Sequence, residues 1–138
     1  MFADKNDFAA IVELFRKHRT IFPHLRPKEL ETSIHKNQMI WSMGVAIQFK
    51  VYQRKHKIGD FTCNVGDLHL MKMVSSKGQA ERIMKRWIYS YGNGRVILSV
   101  REDNDKAVEL YRRMNFEIVG ERCWGKSQIK GLVMKFDF

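Results

Sequence analysis

The stretch from 95 to 116, RVILSVREDNDKAVELYRRMNF, constrains the fold more than any other part of the chain. Val96, Ile97, Leu98 and Val100 form a short run rich in β-branched residues, as expected of a strand covered on both faces. Arg101, Glu102, Asp103 and Asn104 break the run, and either Asp103 or Asn104 can cap the N–H groups of a following helix. Ala107, Leu110, Tyr111 and Met114 then recur at i, i+3, i+4 and i+7, which puts them on one helical face. Lys106, Glu109, Arg112 and Arg113 take the other. A buried strand, a sharp polar turn and an amphipathic helix read as a unit of an α/β protein.

With 138 residues the chain fits one domain, 1–138, large enough to bury a core without disulfides or metal. No apolar stretch approaches the roughly 18 residues of a membrane span, and MFADKNDF lacks the apolar core of an export signal, so a cytoplasmic protein without a membrane partner is expected. Cys63 and Cys123 have no CxxC spacing; reduced thiols are expected and no metal-ligand set is read. The 25 Lys and Arg against 15 Asp and Glu leave a net charge of +10, which attracts anionic partners, nucleic acid among them, and says nothing of where they bind.

Along the chain, Asp7 precedes the stripe Phe8, Ile11, Val12 and Phe15, predicting a capped helix from Phe8 to Arg19. Its basic end, Arg16 to Arg19, complements a helix dipole as readily as it binds phosphate. Pro27 suits the first turn of a second helix whose apolar side is Leu30 and Ile34. Gln38 to Trp41 and Val45 to Gln53 read as a hairpin across Ser42, Met43 and Gly44. The exposed tip Arg54, Lys55, His56 and Lys57 reads as a solvated turn or as part of a stripe tracking a phosphate backbone. A strand is expected from Val65 to Val74; Leu68 and Leu70 share one parity and Met71 and Met73 the other, so the apolar phase changes at Leu70–Met71. A one-residue bulge produces such a change, and so does a helix beginning at Met71. Ala80, Ile83, Met84, Trp87, Ile88 and Tyr91 keep helical spacing, and Phe116 to Cys123 and Ile129 to Phe138 read as two final strands.

Val100, Asn104, Ala107, Leu110-Tyr111 and Asn115-Phe116 together resemble the C-terminal signature of the GCN5-related N-acetyltransferases, the GNAT superfamily, with Asn115 where the family usually has Gly. Asn tolerates the left-handed end of a helix better than any residue except Gly. The resemblance covers nearly the whole chain and implies a GNAT-like α/β fold: a central twisted mixed sheet of six or seven strands with about four helices. It also implies that the fourth and fifth strands of that fold splay apart to admit an acyl thioester, the phase change marking the place.

The same resemblance implies acetyl-coenzyme A, or another acyl donor, as co-substrate and an amine as acceptor. Met71, Met73 and Val74 then line the acyl donor. Ser76, Lys77, Gly78, Gln79 and Ala80 stand in the family's phosphate loop, with Ser75 where Gln or Arg is usual. The strand reaching Val74 clips that loop short. Asn104 and Ala107 face the pantetheine arm, and Tyr111 is the acid for the departing sulfur. For the base, His69 and Asp67 are the candidates, His69 because an ordinary imidazole titrates in the useful range; Glu102 and Asp103 are further ones. Phe22, His24 and Arg26 are implied near the acceptor, although Phe22 and Leu25 read first as plugs of the core. Acceptors on a small molecule, a protein or, as in phage DNA-modifying members, a DNA base stay open, as does a non-catalytic nucleic-acid-binding module. Trp41, Tyr52 and Trp124 are the aromatics that base stacking could use. Monomer and homodimer both fit.

Overall fold

The computed structural model describes residues 1–76, 78–91, 94–126 and 128–137. In chain order these form α1 (Phe8–Arg16), α2 (Pro27–His35), β1 (Met39–Ser42), β2 (Val45–Val51), β3 (His56–Ile58), β4 (Phe61–Cys63), β5 (Leu68–Ser75), α3 (Ala80–Tyr91), β6 (Arg95–Arg101), α4 (Asp105–Arg113), β7 (Glu117–Trp124) and β8 (Ile129–Asp137). Six strands form one mixed sheet in the order β1-β2-β5-β6-β8-β7, and β3 and β4 form a separate hairpin. The α/β class with four helices therefore stands. Among the described residues no helix is long and apolar enough to cross a membrane. The chain divides into two compact units, residues Met1–Phe49 with Met71–Tyr89, and Lys50–Leu70 with Ser90–Phe138.

The first unit is built on the stripes of α1 and α2. Ile11, Val12, Leu14 and Phe15 from α1 join Leu30 and Ile34 from α2 and Met39, Ala46 and Val74 from the strands in one core. Phe15 is fully buried, a burial that contributes about 1.5–3 kcal/mol. Phe22 and Leu25 pack against the same core, Phe22 edge-on to Phe15 at 5.2 Å. Trp87 of α3 is fully buried, 5.1 Å from the Phe49 ring.

Two expectations here are corrected. The first helix ends at Arg16, not Arg19, and Asp7 does not cap it; the Asp7 carboxylate accepts from the Asp4 N–H at 2.9 Å, closing a capping box around the single 3-10 turn Lys5–Asp7. His18, beyond the helix, places Nδ1 3.1 Å from the Leu14 carbonyl oxygen, so this basic end serves the helix terminus. The chain before α1 contributes only a bridge, Phe2↔Ile40. The β1–β2 hairpin turns through Met43 (φ 49°) and Gly44 (φ 73°), the paired positive φ of a tight primed turn.

In the second unit β6 pairs antiparallel with β8 over its whole length, Arg95↔Asp137 to Arg101↔Gly131, and β8 pairs with β7. A register shift between Ile118 and Gly120 interrupts that second pairing. The β3–β4 hairpin was not anticipated, because HKIGDFTC is too short and too polar at its start to show a strand period. Its tip is tied to β7: the Asp60 N–H donates to the Glu121 carbonyl at 3.3 Å, and Asp60 Oδ1 accepts from the Glu121 N–H at 2.9 Å. Ile58 and Cys63 from the hairpin pack with Tyr52, Ile97 and Val133. Cys63 and Cys123 are both free thiols.

Candidate functional site

Val96, Ile97 and Leu98 are fully buried, as a central strand requires. At the end of β6 the Arg101 guanidinium donates to both carboxylate oxygens of Asp103, at 3.0 and 2.9 Å, and holds that carboxyl below its ordinary range. Asp103 is thus occupied, and Asn104 is the cap: its Oδ1 accepts the Ala107 N–H at 3.3 Å. That bond spends the carbonyl of Asn104 and leaves its amide N–H groups. Glu102 and Asp103 are both exposed.

Tyr111 stands on the buried side of α4 at 7% exposure, its ring 5.7 Å from Phe116. Burial alone pushes its phenol up to about 12. Among the described residues the hydroxyl makes no hydrogen bond, and its oxygen is not one of the side-chain atoms sealed from solvent without a partner. Its place is fixed by the helix end. The Phe116 N–H reaches back to the Tyr111 carbonyl and the Asn115 N–H to that of Arg112, both at 2.9 Å, with Asn115 at φ 70°. This is the six-to-one, five-to-two pattern of a left-handed helix stop. We expect Asn115→Ala to cost about 1 kcal/mol of stability and Asn115→Gly to cost nothing, read as the difference in urea midpoint between the two variants.

In the second unit, β5 pairs in parallel with β6 at Leu68↔Val96 and His69↔Ile97. The strand then runs on through Ser75, so a helix beginning at Met71 is ruled out. The expected change of phase does not appear in burial. Leu68, Leu70 and Val74, all of one parity, are buried, whereas Met71 is 37% exposed. The methionines are an accessible apolar stripe and not a second core face. Val74 itself belongs to the core of the first unit, which leaves only its backbone to meet a ligand.

The loop after β5 is the clipped one, residues 76–79. Ser76 donates its N–H to the Gly44 carbonyl at 2.9 Å, so that donor is spent. Lys77 lies outside the described residues. Gly78 has φ 55° and nothing within 4 Å of where a Cβ would stand. The Gln79 carbonyl accepts the Ile83 N–H at 3.1 Å, closing the first turn of α3. The helix start faces the loop with its N-terminal, positive end, the arrangement that suits a phosphate. Ser75 Oγ is buried without a hydrogen-bond partner.

The two candidate bases are placed differently from expectation. Asp67 is 4% exposed and its carboxylate is taken: Arg95 donates to both oxygens, at 3.1 and 2.7 Å, and the Asn64 N–H adds a third bond at 2.7 Å. It ties the turn before β5 to the start of β6. His69 is 7% exposed, and its Nδ1 lies 2.6 Å from the Tyr52 hydroxyl. Burial, with the charges of Lys50, Arg122 and His56 adding to it, lowers the imidazole to about 3. His69 does not titrate near neutrality. Tyr52, buried at 6%, is pushed up to about 12, chiefly by desolvation, and so holds its proton and donates it to Nδ1.

Of the acceptor-side candidates, His24 and Arg26 are exposed and Phe22 is half-buried. The three aromatics are not stacking platforms: Tyr52 is core, Trp41 packs on the core of the first unit, and Trp124 lies against Gly131 beneath the Arg122 guanidinium.

At the level of sequence, neither a protein-family model nor a curated protein matches the chain. Solved structures do. An acetyltransferase of the GNAT family from Streptococcus agalactiae superposes with a TM-score of 0.78 at 11% identity, covering 100% of this chain and 94% of its own. The ribosomal-protein-S18-alanine N-acetyltransferase from Escherichia coli gives 0.73 at 12% identity, covering 99% and 91%. Arabidopsis thaliana NAA60, in complex with acetyl-CoA, gives 0.72 at 14% identity, covering 100% and 98%. At such identities the likeness is one of fold: the chain has the fold of GNAT-family acetyltransferases.

Proposed function

We propose that this chain is an acyl-coenzyme A-dependent N-acetyltransferase. The observation that carries the reading is Tyr111, a buried, protonated phenol with no hydrogen-bond partner among the described residues, on the helix where the sequence resembles the family's signature. A hydroxyl that stays protonated and is unspent within the chain suits a donor reserved for a reaction. The co-substrate supplies an activated acyl thioester. The N-terminal end of α3 at Ala80, with Gly78 leaving room beside it, suits its diphosphate. The accessible Met71 and the half-buried Met73 suit its pantetheine arm. The backbone of Met71–Val74 polarises the thioester carbonyl and the amide of Asn104 orients the arm. Tyr111 gives its proton to the departing sulfur. Since Asp67 is ion-paired and His69, lowered to about 3, is too weak a base to take an amine's proton, the acceptor amine enters the reaction already neutral or loses its proton to water.

A nucleic-acid-directed acceptor draws support from the exposed run Arg54–Lys57 and the net charge of +10. It draws none from Trp41, Tyr52 and Trp124. One thermal-shift series separates the two. Saturating acetyl-coenzyme A and coenzyme A should each raise Tm, by the equivalent of about 2.7 kcal/mol at a hundred times Kd, while short DNA leaves it unchanged. A rise with DNA alone would favour the second reading, and no response to either coenzyme form would remove the first.

A further inference from the structure

We propose that the acceptor carries an anionic group, a carboxylate or a phosphate monoester, held in the second unit by Lys50, His56 and Arg122 around the hydrogen-bonded Tyr52–His69 pair. The word acceptor rests on the acetyltransferase reading; the anion site does not. Three elements converge on Tyr52. The exposed His56 ring of β3 stacks on it at 5.0 Å, the His69 ring of β5 at 5.6 Å, and Lys50 Nζ of β2 lies 4.9 Å from its centroid. From β7, the Arg122 guanidinium lies over the Trp124 ring at 4.8 Å, and its Nε is buried without a hydrogen-bond partner.

What marks this group is not that its cations are unpaired, which holds for many on the surface, but that they gather on a buried aromatic pair and include a buried guanidinium Nε without a partner. Where other cations do meet anions they are neutralised in place: Lys72 by Glu29, Lys85 by Glu81, Arg101 by Asp103, and Lys135 by Glu117 and Asp137. Among the described residues Lys50, His56 and Arg122 have no ion pair. The buried carboxylate of the unit, Asp67, is already taken by Arg95 and the Asn64 N–H. Gathering like charges beside a desolvated pair is unfavourable unless a counter-charge arrives. Because Nδ1 of His69 accepts from Tyr52, its remaining ring proton sits on Nε2, so the histidine too is a donor. A planar guanidinium, an ammonium and imidazole N–H groups form a donor set that matches a carboxylate or phosphate. The packed aromatics offer no stacking face, which favours a single anionic group over a polynucleotide.

The test is a histidine-ring NMR titration of the full chain, without coenzyme, using glutamate and O-phosphoserine as probes and glutamine and serine as their neutral counterparts. The His56 and His69 signals should move with the charged probes only, the tighter of the two identifying carboxylate or phosphate, and affinity should fall as salt rises. Arg122→Gln should weaken that probe by about tenfold or more, and Arg122→Lys by less. Ring signals that stay still, or that move equally with the neutral probes, overturn the proposal; so does an Arg122→Gln protein with an unchanged urea midpoint and unchanged affinity. Binding of a charged probe by a chain that transfers no acetyl group would uphold the anion site and dismiss the acetyltransferase reading. Acetylation of neutral amines with no preference for anionic ones would do the reverse.

Discussion

Tyr111→Phe should lower kcat by about a hundredfold while leaving Tm and the KM for acetyl-coenzyme A nearly unchanged. General-acid assistance contributes about 10²–10⁴ in rate. The lower end is expected here, because a thiol of pKa about 8.5 leaves more easily without a proton than an alcohol does. Stability should not suffer. The side chain is 7% exposed and its hydroxyl has no partner among the described residues, so deleting that oxygen breaks no bond within the chain. The pH profile adds a second check. With the phenol pushed up to about 12, Tyr111 stays protonated through pH 10, so wild type and variant should show profiles of the same shape, displaced in height. Undiminished kcat would deny the residue its role as acid. A loss of kcat that tracked a fall in Tm would make Tyr111 a packing residue.

The parts of the fold that were legible in the sequence are those whose pattern has a local physical cause. The β6–α4 unit shows itself because a strand buried on both faces must be continuously apolar and the helix after it must be striped. Asn115 was recognisable as a helix stop because few residues accept a φ of 70°. The β1–β2 turn followed from Met43-Gly44 between two β-rich runs. What was not legible is whatever depends on partners remote in the chain. Nothing local to Asp67 announces Arg95, 28 residues on, and nothing local to His69 announces Tyr52, 17 residues earlier. Both therefore read as titratable candidates when one is an ion-pair anchor and the other a buried neutral ring. The β3–β4 hairpin escaped because its tip is held by Asp60 on the backbone of Glu121, a bond across 61 residues with no sequence period. The methionine stripe shows in the sequence only as a change of apolar phase, for a related reason. Hydrophobicity alone does not distinguish a face covered by the core from one kept open to a ligand.

His69 makes acid instability the second large effect. In the folded chain its imidazole is lowered to about 3 from an ordinary 6.5, by burial first and then by Lys50, Arg122 and His56, while Tyr52 occupies Nδ1. The unfolded chain takes up a proton below pH 6.5 that the folded chain refuses until about pH 3. The stability this neutral histidine contributes is complete above pH 6.5 and is lost as pH falls through that window. At about 1.36 kcal/mol per unit, the loss is about 2 kcal/mol by pH 5, a large share of what a domain of this size has to spare. His69→Gln keeps an acceptor for the Tyr52 hydroxyl and removes the titration. Urea unfolding at pH 7, 6, 5 and 4 should therefore show the wild type losing stability below pH 6.5 more steeply than the variant, by about 1.4 kcal/mol per unit. Parallel lines for the two proteins would mean that the ring titrates in the folded chain as in the unfolded one, and is then basic enough near neutrality to take a proton. A difference of the expected size would leave the removal of the amine proton to solvent, and the rate of acetylation would then rise with pH according to the acceptor's own pKa.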